Sequence, residues 1–285
     1  MKRVIINADD FGRHAAINEA VELGVMHGCL RSATVMAGGG AFEGAIDIAR
    51  RHPELGLGIH FTLVDDKPVL PPSEVPSLVT PDGRFYDNHL LFVKHYLRGG
   101  VRLEEVRAEL GAQLRKVERT GVPLSHADSH QHMHTLPGIL RVVLDLCGQG
   151  GIKAMRAPRT PLLAGDFGGA GQLIGRLGLG TLARLAAFCA KRHHIAVPDR
   201  FGGIVAGEAV SEPFLIKTLQ GLSSGTTEIM MHPGTKNAPL QEACRWQHDF
   251  EAELAAILSP KVRAVLAQEK IEAVNFRTLY EKTRA

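Results

Sequence analysis

Five stretches of this chain carry side chains suited to metal or proton chemistry. They are Asp9-Asp10, His60, the run His126-Ala127-Asp128-Ser129-His130-Gln131-His132-Met133-His134, Arg156 with Arg159, and His232. Two imidazoles and one carboxylate form a borderline-soft donor set for zinc or another divalent transition metal, with positions left for water and substrate. Such an ion lowers the pKa of water and polarises a carbonyl, while a second carboxylate takes a proton and a histidine gives one to the leaving group. A metal hydrolase is the natural reading. Each residue also has a plainer one. Asp9 and Asp10 could cap a helix or close an Asx-turn, and His60, alone in an apolar run, has the character of a satisfied core histidine. Arg156 could orient a polar substrate or a carboxylate of the site, or pair with water at the surface. Four histidines and an aspartate within the nine residues 126–134 are harder to read as solvated surface. Alternation in an extended chain would set His126 and His130 on the side of Asp128.

What has to position these groups is a set of strand ends. Val4-Ile5-Ile6 reads as a buried parallel strand, followed by a crossover helix from Ala15 to His27 with Gly28 as its C-cap. Ala33–Met36, Leu57–Leu63, Pro123–Ser125, Lys153–Ala157, Gly203–Ala206, Thr227–Met231 and Glu272–Phe276 read as further strands. Helices are predicted over Phe42–Arg51, Leu103–Val117, Leu136–Cys147, Pro213–Leu222 and Leu240–Leu258, the last carrying Trp246. Gly38-Gly39-Gly40 reads as a tight turn ahead of a ligand cradle, and the proline-rich Val64–Asn88 as a substrate-side lid or binding loop. With no linker and no short repeat, the pattern predicts one α/β domain over 1–285. The expected fold is an irregular (β/α) barrel of about seven to eight strands, with a doubly wound open sheet as the alternative. In either fold the strand C-terminal ends form the functional rim, where the five stretches fall together.

Composition narrows the partners. Hydrophobic residues make up 45% and charged ones 22%, and no apolar run reaches the roughly 18 to 20 residues of a membrane span. The chain enters a strand at once, without a secretory pattern, so a cytoplasmic location is expected. A net charge of +3 without a dense basic run, and 5% aromatic residues, give nucleic-acid binding little support. Cys29, Cys147, Cys189 and Cys244 form no Cys-x-x-Cys and are expected to be buried thiols.

One region differs. An insertion at about 160–200, and within it Phe167 to Pro198, is rich in glycine and leucine, carries Arg176, Arg184, Lys191 and Arg192, and has no acidic residue. Its glycines predict a broken helix or a mobile flap. Two roles fit: contact with a lipid-like substrate or an anionic membrane surface at the inner membrane face, or packing on the barrel or on a second subunit of a homo-oligomer.

Asn7-Ala8-Asp9-Asp10-Phe11-Gly12, Gly58-Ile59-His60-Phe61-Thr62-Leu63, Asp128 to His134 and Met231-His232-Pro233 together resemble the YdjC-like carbohydrate deacetylases, relatives of the polysaccharide deacetylases. Leu63 to Pro72 and the glycine- and leucine-rich insertion resemble the hopanoid-biosynthesis-associated branch. The resemblance implies a deacetylase-like barrel with an Asp-His-His metal site on Asp10, His60 and His130. It also implies one divalent ion, zinc favoured and magnesium or another ion admitted, with Asp9 as general base and His232 as general acid. The implied reaction removes the N-acetyl group from an amino sugar; in the hopanoid branch the substrate is an N-acetylglucosaminyl lipid. Arg156, Arg159, His132 and His134 are then expected near substrate, and His126 around the ligands.

Three other functions compete: a deacetylase of soluble chitooligosaccharides, a metal phosphoesterase, and a non-catalytic carbohydrate- or lipid-binding protein. Many phosphoesterase sites hold two or three metals and need more ligands than these three. Binding alone needs neither an Asp9 base nor a His232 acid.

Overall fold

In the computed structural model, which describes residues 1–159, 170–204 and 209–281 (170–177 as backbone only), the long apolar opening of the chain becomes the centre of a parallel sheet. Its strands are β1 (Lys2–Phe11), β2 (Ser32–Val35), β3 (Gly56–Phe61), β4 (His126–Ser129), β5 (Arg200–Gly202), β6 (Gly225–Met231) and β7 (Ile271–Ala273). They run in the order β4-β3-β2-β1-β6-β5, with β7 also paired to β1. β6 flanks β1 from Lys2 to Ala8, while the other edge of β1 is shared by β7 at Lys2–Val4 and by β2 at Asn7–Phe11. Every residue of β1 from Val4 onward is buried, as a parallel strand covered on both faces requires. Beyond β4, single bridges Ala127–Met155 and Ala154–Ala196 carry the ladder toward the segment leading into β5, giving an irregular barrel. The strand predicted at Lys153–Ala157 is therefore only these two bridges.

The crossover helices are α1 (Ala15–His27), α2 (Phe42–Arg51), α3 (His89–Leu97), α4 (Leu103–Glu118), α5 (Pro137–Gln149), α6 (Ala170–Arg192), α7 (Glu212–Gln220), α8 (Asn237–Cys244), α9 (Phe250–Leu258) and α10 (Pro260–Gln268). Their apolar faces close one main core on the sheet, with a smaller cluster around Ile5, Ala154, Val274 and Phe276.

Four departures from expectation bear on the site. The strand expected at Pro123–Ser125 lies three residues later, at β4, so His126 and Asp128 belong to the strand and pair with Gly58 and His60 of β3. The single helix expected over Leu240–Leu258 is two helices, because Arg245 takes a left-handed conformation (φ 49°) that ends α8 and puts Trp246 in the break. The strand expected at Gly203–Ala206 is β5, three residues earlier; Val205 and Ala206 lie outside the described residues. The broken helix or flap of the insertion is one continuous helix, α6. Ala183, Ala186 and Ala190 are buried along one face, and that close packing outweighs the glycine cost of about 1 kcal/mol each. The part of the insertion at 160–169 lies outside the described residues.

The Val64–Asn88 segment is pinned rather than free: the Glu109 carboxylate accepts from Val69 and Leu70 N–H at 2.8 and 3.0 Å, and Glu105 from Ser77 N–H at 2.7 Å. Gly39 packs against the Gly12 carbonyl, so the triple glycine serves the turn.

Candidate active site

Asp9 and Asp10 would point to opposite faces of a regular strand. Here β1 carries an extra residue relative to β2 between Ala8 and Phe11, and Asp10 has φ 60°. The bulge turns both carboxylates toward His60. Neither aspartate caps α1: His14 Nδ1 accepts the Ala16 N–H at 3.1 Å.

Donor atoms of Asp10, His60 and His130 lie within 4.8 Å of one another. Asp10 Oδ1 is 2.9 Å from His130 Nδ1 and 3.3 Å from His60 Nε2. On the far side of His60, Asp128 Oδ1 meets Nδ1 at 2.6 Å. That bond leaves Nε2 facing Asp10 and fixes the ring, as carboxylates behind metal-binding histidines do. Burial opposes a charged imidazole, but Asp128, with the bonds to Asp10 and Asp128, pushes His60 up to about 10. His130 is likewise raised by Asp10 against burial. The same negative field would attract a divalent cation. Arg13 offsets part of it, donating to Asp10 Oδ2 at 3.1 Å and to Asp65 Oδ2 at 2.7 Å, and so ties the 64–88 loop to the site.

Behind this group Arg156 is fully buried. Its fork grips both oxygens of Asp9 at 2.6 Å, reaches Asp128 Oδ2 at 2.8 Å, and sends Nε to Glu228 Oε1 at 2.6 Å. Burial raises the Asp9 pKa, yet Arg156 outweighs it and holds this carboxyl well below the usual range. Three carboxylates share one guanidinium, and the difference falls on Glu228, which burial pushes up to about 7 and whose Oε2 has no partner.

His232 follows β6 and is half-buried. Its backbone N–H donates to Glu253 Oε2, and its ring meets Trp246 and His248 edge-on, with centroids at 5.0 and 5.7 Å. Burial lowers its pKa, while the charges of Asp9, Glu253 and Asp10 pull the other way. The break between α8 and α9 supplies this wall.

The family model for YdjC-like protein matches residues 3–268. The chain belongs to the YdjC-like family. It is 29% identical to a carbohydrate deacetylase of Geobacillus stearothermophilus, covering 97% of this chain and 98% of that one. To the human carbohydrate deacetylase it is 31% identical over 95% of this chain and 88% of the relative. A solved Enterococcus faecalis V583 structure, named provisionally for cellobiose-phosphate cleavage, superposes with a TM-score of 0.74 at 26% identity, covering 98% of each chain.

Two other expected residues of this YdjC-like chain, Arg156 and His134, are fully buried. Arg156 cannot be a substrate contact, since it has no exposed surface; of the readings open to it, holding a site carboxylate is the one it fulfils. His134, also expected near substrate, is fully buried between Ser129 Oγ at 2.6 Å and the Arg156 carbonyl at 3.2 Å. His126 stacks on Phe276 at 3.7 Å, over Gly58, where any side chain would collide with the ring. His132 is half-buried beside Phe201, its Nδ1 without a partner. Arg159 donates to the carbonyls of Pro198 and Asp199 at 2.5 and 3.0 Å. Sequence reasoning missed Arg13, Asp65, Glu228, His248 and Glu253, and gave Asp128 no role of its own. Glu228 had a readable signal, an acid inside an apolar strand; Asp128 stood in the quoted run but had no visible partner.

Proposed function

We propose that this chain is a metal-dependent carbohydrate N-deacetylase whose substrate is an N-acetylglucosaminyl group on a hopanoid lipid. The observation that carries the reading is the meeting of the Asp10-His60-His130 donor set, with His60 locked by Asp128, and the Arg156-held carboxylate of Asp9. Two nitrogen donors and one oxygen donor fit zinc or a similar divalent ion. Bound there, the ion would lower the pKa of water and polarise an amide carbonyl, which is what a strongly paired carboxylate needs in order to serve as base. Asp9 stays ionised across the neutral range and takes the proton; Arg156 and the Asn7 amide, 2.8 Å from Asp9 Oδ1, hold it in place. His232, across the site, acts from its imidazolium form, which the charges of Asp9, Glu253 and Asp10 favour against burial, and becomes neutral on giving a proton to the departing amine.

Support for a lipid-linked sugar is narrower: the hopanoid-branch resemblance of Leu63–Pro72, and the face of α6, where Leu185 and Phe188 are exposed beside Arg184, Lys191 and Arg192. No helix among the described residues is long and apolar enough to cross a membrane, so this contact would be peripheral.

Mass-spectrometric detection of acetyl loss, with and without chelator, tests both levels on an N-acetylglucosamine oligosaccharide and an N-acetylglucosaminyl lipid. Chelator-sensitive loss from the lipid alone is the expected result. Loss from the soluble sugar overturns the lipid assignment and leaves a general carbohydrate deacetylase. Loss from neither overturns the deacetylase reading.

A further inference from the structure

Outside the Asp10 group, a second set of metal-type donors stands at the other side of the rim. Donor atoms of His232, His248 and Glu253 lie within 4.8 Å of one another and share no residue with Asp10, His60 and His130. We infer that His232, His248 and Glu253 form a second, inhibitory site for zinc or a similar transition-metal ion, which silences the enzyme by occupying its general acid.

Three observations carry this. The donor set, two imidazoles and a carboxylate, has the chemistry of a zinc site. His248 is 4% exposed, yet its Nδ1 has no hydrogen-bond partner, while its Nε2 meets Glu253 Oε1 at 3.1 Å. A buried imidazole nitrogen without a partner is costly unless something fills it. Finally, His248 lines an open pocket of about 450 Å³ together with Ser211, Gln241, Gln247 and Asp249, which gives an ion a polar entry path.

The surroundings hold the donors in place. Glu253 accepts the backbone N–H groups of His232 and of Val210, the latter at 2.8 Å, and Trp246 stacks on His248 at 3.9 Å. The effect of an ion here is subtraction: an imidazole nitrogen that binds an ion carries no proton to give. The inhibition depends on His232 being the acid, as proposed above; the binding does not.

Chelator-stripped protein titrated with zinc chloride, read by equilibrium dialysis and elemental analysis, tests the site. Wild type should bind two ions per chain, and His60→Ala and His248→Phe one each; the phenylalanine keeps a ring against Trp246. His248→Gln, which retains a donor toward Glu253, is the second variant should the first fold poorly. In wild type, turnover at excess zinc should fall well below turnover at one equivalent, by up to about 10²-fold if the acid is lost, and this ratio should approach one in the His248 variants. Two ions retained by both His248 variants overturn the inference. A single wild-type ion lost only in His60→Ala also overturns it and leaves the proposed catalytic centre standing. A single ion lost only in the His248 variants keeps the second site and removes the first.

Discussion

His60 at the end of β3 and His134 beyond β4 are buried to the same degree and have a polar partner at each ring nitrogen. For His60 the distances are 2.6 and 3.3 Å; for His134 they are 2.6 and 3.2 Å. Burial favours the neutral ring in both. His134 bonds a hydroxyl and a carbonyl, and burial takes it down to about 4. His60 bonds two carboxylates, and Asp128 and Asp10 lift it to about 10 against the same desolvation. Partner charge, not burial or geometry, separates a histidine set toward a cation from one that is packing. The His126–His134 run divides the same way: His130 faces Asp10, while His126, held by Ser125 and Asn7 oxygens and stacked on Phe276, is driven down to about 3.

The largest test of this contrast removes a donor. His60→Ala is expected to lose more than about 100-fold in metal affinity and most turnover, whereas His134→Gln should leave metal uptake unchanged; equal losses in both, read by elemental analysis and acetate release, would erase the distinction. Asp9→Asn should keep the metal and lose about 10²- to 10⁴-fold in kcat. A near-normal rate would remove Asp9 from the base role. Asp128→Asn asks whether the carboxylate behind His60 matters in itself: metal affinity should fall about 10- to 100-fold with the fold intact, and unchanged affinity would reduce Asp128 to a partner of Arg156.

Much of the architecture was legible because parallel strands buried on both faces read as apolar runs, and Val4–Ile6, Leu57–Phe61 and Thr227–Met231 are such runs. Residue types and strand ends brought Asp10, His60, His130, Asp9 and His232 into consideration. What could not be read was set by backbone irregularity and long-range pairing. The extra residue in β1 that turns Asp9 and Asp10 the same way has no glycine or proline to announce it. The left-handed Arg245 that opens the wall around His232 interrupts an otherwise helical pattern. Arg156 and Glu228 lie 72 residues apart, so the arginine's partners were invisible until the barrel joined them.

The smallest expected effect is a pH dependence of stability, and it carries the contrast into the core. His126 and His134 have folded pKa values of about 3 and 4 against 6.5 for a free imidazole. As pH falls below 6.5 the unfolded chain gains protons that the folded chain refuses, so stability is lost from pH 6.5 downward, by about 1 kcal/mol per pH unit per histidine at first. Glu228 has the opposite sign. Its folded pKa, about 7, lies above the unfolded value of 4.5. Its contribution is therefore complete below pH 4.5 and is lost as pH rises through 7. Glu228→Gln, a neutral copy of the protonated acid that still accepts from Arg156, should track wild type at pH 4.5 and exceed it above pH 7 in urea midpoint. His134→Gln should instead flatten the slope between pH 6.5 and 5. If Glu228→Gln lost stability at every pH, the Glu228 carboxylate would be an ionised partner of Arg156, and the guanidinium would be holding three charges rather than two.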